Sequence, residues 1–303
     1  MKKKILIVVV ATLLLLIGSQ IHFDIPVADI ERTWALPESK FLDLNGMRVH
    51  YTDEGKGENV VLIHGTAASL HTWREWVKTL KKDFRVVTLD LPAFGLTGPS
   101  PDNDYTIPNY VKFLEQFFAA MKMRQLNLVG NSLGGQIAWR YAVAHPDNVN
   151  KLVLIDSAGL PRIGSIPLPI RLARMPVIGS LAKYLSPRFL VKKSLKQVYY
   201  DDAKVTDALV DRYHSLALRA GNRNAFVERS RQMTPDDGSG LDKISVPTLI
   251  MWGQHDTWIP VEQAANFRKK LFLGQVVIYD NAGHVPHEEI PEQSVADALK
   301  FLK

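Results

Sequence analysis

The sequence predicts a mostly parallel, doubly wound α/β sheet of about eight strands, opened by an antiparallel hairpin and interrupted by a helical cap. Three observations point to it. From residue 40 onward, short apolar runs bounded by turn residues alternate with amphipathic stretches at helical spacing. The alternation breaks over 159–243, which holds Pro161, Pro167, Pro169, Pro176 and Pro187 but no strand-like run. Hydrophobic residues make up 46% of the 303 residues and charged residues 22%, which suits a large folded core rather than a disordered chain.

Before the fold comes a leader. Lys2, Lys3 and Lys4 precede Ile5 to Ile17, a run whose only polar member is Thr12. That order reads as an export signal or an uncleaved anchor, and the lack of an A-x-A site favours the anchor. Lysines on the cytoplasmic side leave the rest of the chain on the non-cytoplasmic face, or secreted if the leader is cleaved. Residues 1–23 are therefore expected to be a signal or anchor segment. Residues 24–39, with Pro26 and Pro37, are expected to be a tether.

Residues 40–158 and 244–303 read as the core. Phe41–Leu44 and Met47–Tyr51 flank Asn45-Gly46, the dipeptide that favours a tight hairpin. Strands are then expected at Val60–Ile63, Phe84–Leu89, Leu126–Val129, Leu152–Ile155, Thr248–Trp252 and Val276–Tyr279. Each is a brief, nearly all-apolar run, as strands covered on both faces should be. Helices are expected near 70–81, 107–122, 133–144, 261–272 and 292–302. Residues 159–243 are expected to be the helical cap, a lid inserted between two strands.

The composition removes several kinds of chemistry. There is no cysteine, so disulfides, thiolate metal sites and a thiol nucleophile are excluded. His50, His71, His145 and His214 show no metal-ligand spacing with carboxylates, so no metal and no cofactor is expected. The net charge is +6, without the dense basic blocks of a nucleic-acid binder, so no nucleic-acid partner is expected. Within 159–243, fifteen Lys/Arg face eight Asp/Glu, so the basicity belongs to the cap. Interleaved with apolar residues, it makes the cap a candidate for contact with anionic lipid.

Gly130-Asn131-Ser132-Leu133-Gly134 carries the sharpest signal. It follows one expected strand and opens one expected helix, the context of a nucleophile elbow, in which a tight turn pushes the serine out at the carboxyl end of the sheet. A serine hydroxyl needs a base, and the base needs an orienting acid. Asp256 follows the strand Thr248–Trp252, and His284 follows Val276–Tyr279. Ser132, Asp256 and His284 thus occur in the order expected for an elbow-type triad, at one end of the sheet. Asp156, at the end of Leu152–Ile155, is the alternative acid. The backbone N–H groups of Leu133 and Thr66 are the expected oxyanion donors. His64 reads as structural, His287 as a rim residue, and His255 as pointing away from the acid. Trp73 and Trp76 read as core.

Residues 40 to 303 resemble an α/β-hydrolase with a cap domain. The matching pieces are His64-Gly65, Asp90-Leu-Pro-Ala-Phe-Gly95, Gly130 to Gly135, Trp252-Gly-Gln-His-Asp256, and Gly283-His284 ahead of Glu289-Ile-Pro291. The resemblance implies the capped serine esterase and lipase branch, with ester hydrolysis through an acyl-enzyme and a small ester or acyl substrate. Serine at the elbow argues against dehalogenases and epoxide hydrolases, which carry Asp there. Carbon–carbon bond hydrolysis is the same-class alternative. Against it, loop 64–69 lacks the extra glycines and proline of meta-cleavage-product hydrolases, and no Trp follows His284. A low-turnover ligand receptor on the same fold is the alternative of a different class.

Overall fold

The computed structural model describes residues 22–184 and 186–303, so the expected leader lies almost wholly outside the described residues. Among the described residues, no helix is long and apolar enough to cross a membrane.

Eight strands form one sheet: β1 (Lys40–Leu44), β2 (Met47–Gly55), β3 (Asn59–Ile63), β4 (Arg85–Leu89), β5 (Leu126–Asn131), β6 (Val149–Ile155), β7 (Thr248–Gly253) and β8 (Gly274–Tyr279). Their spatial order is β1-β2-β4-β3-β5-β6-β7-β8. The β1–β2 and β2–β4 pairs are antiparallel, and the remaining pairs are parallel. The hairpin closes at Asn45-Gly46, where both residues take positive φ, the conformation that such a turn requires.

Period-two alternation splits the core. Val61 and Ile63 of β3 face one hydrophobic layer, Val60 and Leu62 the other. Helices α1 (Val27–Trp34), α2 (Arg74–Leu80), α3 (Ile107–Ala120), α4 (Leu133–Ala144), α10 (Glu262–Lys270), α11 (Pro286–Glu289) and α12 (Pro291–Leu302) belong to the core and its N-terminal approach. Layer one receives Phe113, Phe117, Ile137, Trp139 and Phe267 from α3, α4 and α10. Layer two receives Trp76, Leu80, Val295 and Leu302 from α2 and α12, with Trp73 from the 3-10 turn that opens α2. β8 departs from the expectation of two covered faces. It is an edge strand, and Val276 and Ile278 are part-exposed.

Between β6 and β7 lie α5 (Leu168–Arg174), α6 (Pro176–Ala182), α7 (Arg188–Val198), α8 (Asp207–Ala217) and α9 (Asn222–Gln232). The expected tether is in part a helix docked on this insertion. Ile30 of α1 is buried against Leu96 and Leu216. Asp24 holds the Arg223 guanidinium, with the closer contact at 2.6 Å. Pro26 directly precedes the first helical residue, where its missing N–H costs no hydrogen bond, so it starts a helix instead of marking a linker.

Candidate active site

Ser132 stands between β5 and α4 with φ 54° and ψ −115°, a conformation costing on the order of 1–3 kcal/mol for a residue with a side chain. Its surroundings enforce it. Ser132 N–H donates to Ile155 O at 2.9 Å, and Ser132 O accepts from Ala158 N at 3.0 Å and Gln136 N at 3.1 Å. The turn is possible because Gly134 lacks a Cβ, which would collide with the backbone oxygen of Ile63. Asn131 ties the elbow to its neighbours: its Nδ2 donates to Ile155 O at 3.2 Å and His284 O at 3.0 Å.

His284 lies on the loop after β8, and Ser132 and His284 line one cavity. His284 Nδ1 is 2.6 Å from Asp256 Oδ2, the hydrogen bond that leaves Nε2 free to accept a proton. The loop after β7 fixes the carboxylate, since Asp256 Oδ1 accepts from Trp258 N at 2.7 Å and Ile259 N at 2.9 Å. Thr66, just beyond β3, lines the same cavity. Leu133 opens α4, whose first N–H groups have no acceptor within the helix. An out-turned hydroxyl, a carboxylate-oriented imidazole and a helix amino end are the parts from which acyl transfer is built.

Asp156, the alternative acid, lies beside this group. A carboxylate oxygen of Asp156, one of Asp256 and a ring nitrogen of His284 all fall within 4.8 Å of one another. Asp156 Oδ1 accepts from Gly253 N at 3.0 Å, while the buried Oδ2 has no partner. Burial, and then the nearby Asp256, push the Asp156 carboxyl well above the usual carboxylate range. These three are the one acid–histidine group among the described residues with metal-like proximity. Within it, His284 Nδ1 and Asp256 Oδ2 are engaged with each other.

Several supports had no role assigned from the sequence, although Asp90 and Glu289 fall in segments that carry the family resemblance. Glu289 is buried and accepts three backbone N–H groups: Gly283 at 2.8 Å, Tyr200 at 2.9 Å and Asp201 at 2.7 Å. It thereby fixes the His284 loop against the end of α7, where His284 N also donates to Val198 O at 2.7 Å. Asp90 accepts from Leu70 N and Leu96 N, both at 2.7 Å, and braces the loop after β3. Burial opposes its charge, but His50 holds the carboxyl down at about 2. Trp258 reaches the cavity, its ring 5.7 Å from that of His284.

The histidine readings divide. His64 is buried and accepts from Leu91 N at 3.0 Å, a structural contact. His255 stacks on Tyr200 and bonds Asp280 O, away from His284. His287 is not at the rim. It is buried against the Trp73 ring, 4.2 Å between centroids, with Nε2 3.0 Å from Thr72 Oγ1. Burial lowers its pKa to about 3, so it stays neutral. The next residue, Glu288, is part-buried, and pairs with Arg212 of α8 while accepting from Tyr213 Oη at 2.7 Å.

The cavity, of ≈ 260 Å³, lies between the elbow and the cap. Leu168, Ile170, Leu172, Leu190, Phe226 and Val227 supply much of its wall. Two cations line it among the described residues, Lys193 and Arg223. Lys193 is exposed, and Arg223 is engaged by Asp24 and by Tyr184 O at 3.0 Å.

Elbow, sheet order and inserted helices together define a hydrolase fold. The chain belongs to the α/β-hydrolase family, whose model, described as alpha/beta hydrolase fold, matches residues 58–291. It is 31% identical over 272 residues to the 2-hydroxy-6-oxo-6-(2'-aminophenyl)hexa-2,4-dienoic acid hydrolase of Metapseudomonas resinovorans, covering 87% of this chain and 90% of that one. It is 28% identical over 262 residues to a human monoacylglycerol lipase, covering 82% and 76%. The crystal structure of a membrane phospholipase A superposes with a TM-score of 0.74 at 29% identity, covering 100% of this chain and 98% of that one.

Proposed function

We propose that the protein is a serine hydrolase that cleaves carboxylic esters of apolar acyl groups through an acyl-enzyme. Ser132 Oγ attacks the acyl carbon, and His284 Nε2 takes the hydroxyl proton and returns it to the departing alcohol. Asp256 orients the imidazole and stabilises it while it carries the proton. The N–H groups of Thr66 and Leu133 receive the oxyanion. Water repeats the sequence on the acyl-enzyme and releases the acid.

One observation carries the choice of substrate. Ser132 and His284 share a cavity walled by leucine, isoleucine, valine and phenylalanine, in which Arg223 is engaged by Asp24 and the other lining cation among the described residues, Lys193, is an exposed residue. An apolar acyl chain suits that space, whereas the carboxylate of a dienoic acid would find Arg223 already engaged and only the exposed Lys193 left to meet it, and a buried ion left unpaired costs several kcal/mol. The likeness to lipases supports the same reading. The likeness to the dienoic acid hydrolase favours carbon–carbon cleavage instead. A panel of aryl esters run beside a ring-fission dienoate separates the two. Ester turnover exceeding dienoate turnover is expected, and the reverse order would establish carbon–carbon hydrolysis.

For the leader, three lysines ahead of Ile5–Ile17 support export with retention as an anchor, the enzyme facing away from the cytoplasm. Mass spectrometry of the membrane fraction should find a peptide from upstream of Gln20. A mature chain beginning near Gln20 would mean a cleaved signal.

A further inference from the structure

α6 has an unusual relation to the rest of the cap. It reads Pro-Val-Ile-Gly-Ser-Leu-Ala, without a charge, and Gly179 is its only buried residue. Gly179 makes that packing possible, because a Cβ there would collide with Ala173 O of α5. The helix is therefore laid on α5 by its glycine, with its apolar side chains outward. Val177 is 72% exposed and Leu181 50%, and Met175 and Ile178 are exposed beside them. Tyr184, 64% exposed, follows the helix, and Phe189, 61% exposed, stands at the start of α7. Exposed apolar residues scattered singly are ordinary, but a whole uncharged helix turned outward is not.

Two further observations say what covers it. No Asp or Glu occurs between Asp156 and Asp201, whereas eight Lys/Arg do. Part of the cap charge is spent internally: Arg212 on Glu288, Arg223 on Asp24, Lys192 on Asp207. Arg171 and Arg174 of α5 and Lys193 of α7 form no ion pair among the described residues, and all three are exposed. The chain also arrives from its apolar leader at this place. His22 N donates to Tyr184 O at 3.3 Å, Asp24 grips Arg223, and Ile25 bridges to Arg219, with Phe23 between them 86% exposed.

We infer that α6 and the turn to Tyr184 form a second membrane-docking surface, inserting Val177, Leu181 and Tyr184 into the headgroup region of an anionic phospholipid bilayer. Arg171, Arg174 and Lys193 meet the phosphates around them. Apolar insertion ringed by cations is the recurrent chemistry of interfacial helices. The docking stands apart from the ester reading, and only one consequence rests on that reading. α5, α6 and α7 also line the cavity through Leu172, Ala182 and Leu190, so a lipid ester would enter between docked helices.

The absence of cysteine makes the test direct. Full-length chains carrying Val177→Cys, Leu181→Cys or, as a control, Phe272→Cys at an 86% exposed position on the core are labelled with an environment-sensitive fluorophore. They are reconstituted with phosphatidylethanolamine–phosphatidylglycerol vesicles containing nitroxide-labelled lipid. Labels at 177 and 181 should shift to the blue and be quenched several-fold more than at 272, less so on neutral vesicles. Hydrolysis of a water-soluble ester should be unchanged by either cap substitution. Chains that float with vesicles but show equal quenching at all three positions would overturn the docking and leave the anchor standing. Chains that neither float nor show quenching would overturn both. A blue shift without vesicles that is lost on dilution would assign the face to a second copy instead.

Discussion

Asp156 and Asp256, at the ends of the adjacent strands β6 and β7, bring carboxylate oxygens within 4.8 Å of each other and of a ring nitrogen of His284. Two buried carboxylates this close do not both carry charge at modest cost. The division is visible in their partners. Asp256 accepts from His284 Nδ1 and two backbone N–H groups, whereas Asp156 accepts from Gly253 alone and keeps one oxygen bare. The proton therefore belongs to Asp156.

Replacing each in turn should give unequal results. Asp256→Asn should lower kcat by about 10⁴, by analogy with the same change in a serine-protease triad. Asp156→Asn keeps an acceptor for Gly253 and mimics the neutral acid, so kcat should stay within about tenfold of the parent. Steady-state rates on one aryl ester decide it. If Asp156→Asn were the more damaging, the orienting acid would be Asp156.

The same substitution should reveal its titration in stability. Folded Asp156 holds its proton to higher pH than it does in the unfolded chain, where the value is about 3.9. Its favourable contribution is therefore complete below about pH 4 and is lost as pH rises toward the folded value. Asp156→Asn removes that dependence. Its thermal midpoint should gain on the parent as pH goes from about 4 to 8; a constant difference across that range would mean that Asp156 is not held protonated.

The cap should prove fastened by one part-buried pair. Arg212→Leu leaves the part-buried Glu288 carboxylate without its cation, at a cost of about 3 kcal/mol, the lower end of the range for breaking a buried pair. Arg188, exposed beside Asp207 and Asp211, should give Ala with little change in midpoint. Urea unfolding of both variants checks this, and equal midpoints would contradict it.

Chain length should be set by the cavity wall. Val227 is buried in it, and Val227→Phe should lower kcat/KM for long acyl esters by at least about tenfold, the scale of one or two methylenes in an apolar pocket. Acetate esters should change little. A uniform loss across the chain-length series would place the acyl group elsewhere.

The legible parts were those governed by local pattern. Strand runs, the Asn45-Gly46 hairpin and the elbow at Ser132 each depend on neighbours in sequence, and Asp256 and His284 were singled out as candidates because each closes a strand. What escaped depends on tertiary partners. Glu289 reaches Tyr200 and Gly283, and Glu288 reaches Arg212, across separations that no spacing rule encodes. His287 looked peripheral because it follows His284, but one turn of α11 carries it under Trp73. Residues 24–39 looked like a linker because of their prolines, although Ile30 had a hydrophobic site waiting on the cap. An apolar segment such as α6 would ordinarily be assigned to a core, and only its packing through Gly179 turns it outward.

The most direct measurement is covalent labelling with a fluorophosphonate, followed by peptide mass spectrometry. Ser132 Oγ, held out by a strained elbow beside an oriented imidazole, should take the label stoichiometrically. Ser132→Ala should take none and should lose ester turnover while keeping its thermal midpoint. Stoichiometric label on another residue, or ester turnover undiminished in Ser132→Ala, would contradict an acyl-enzyme at Ser132.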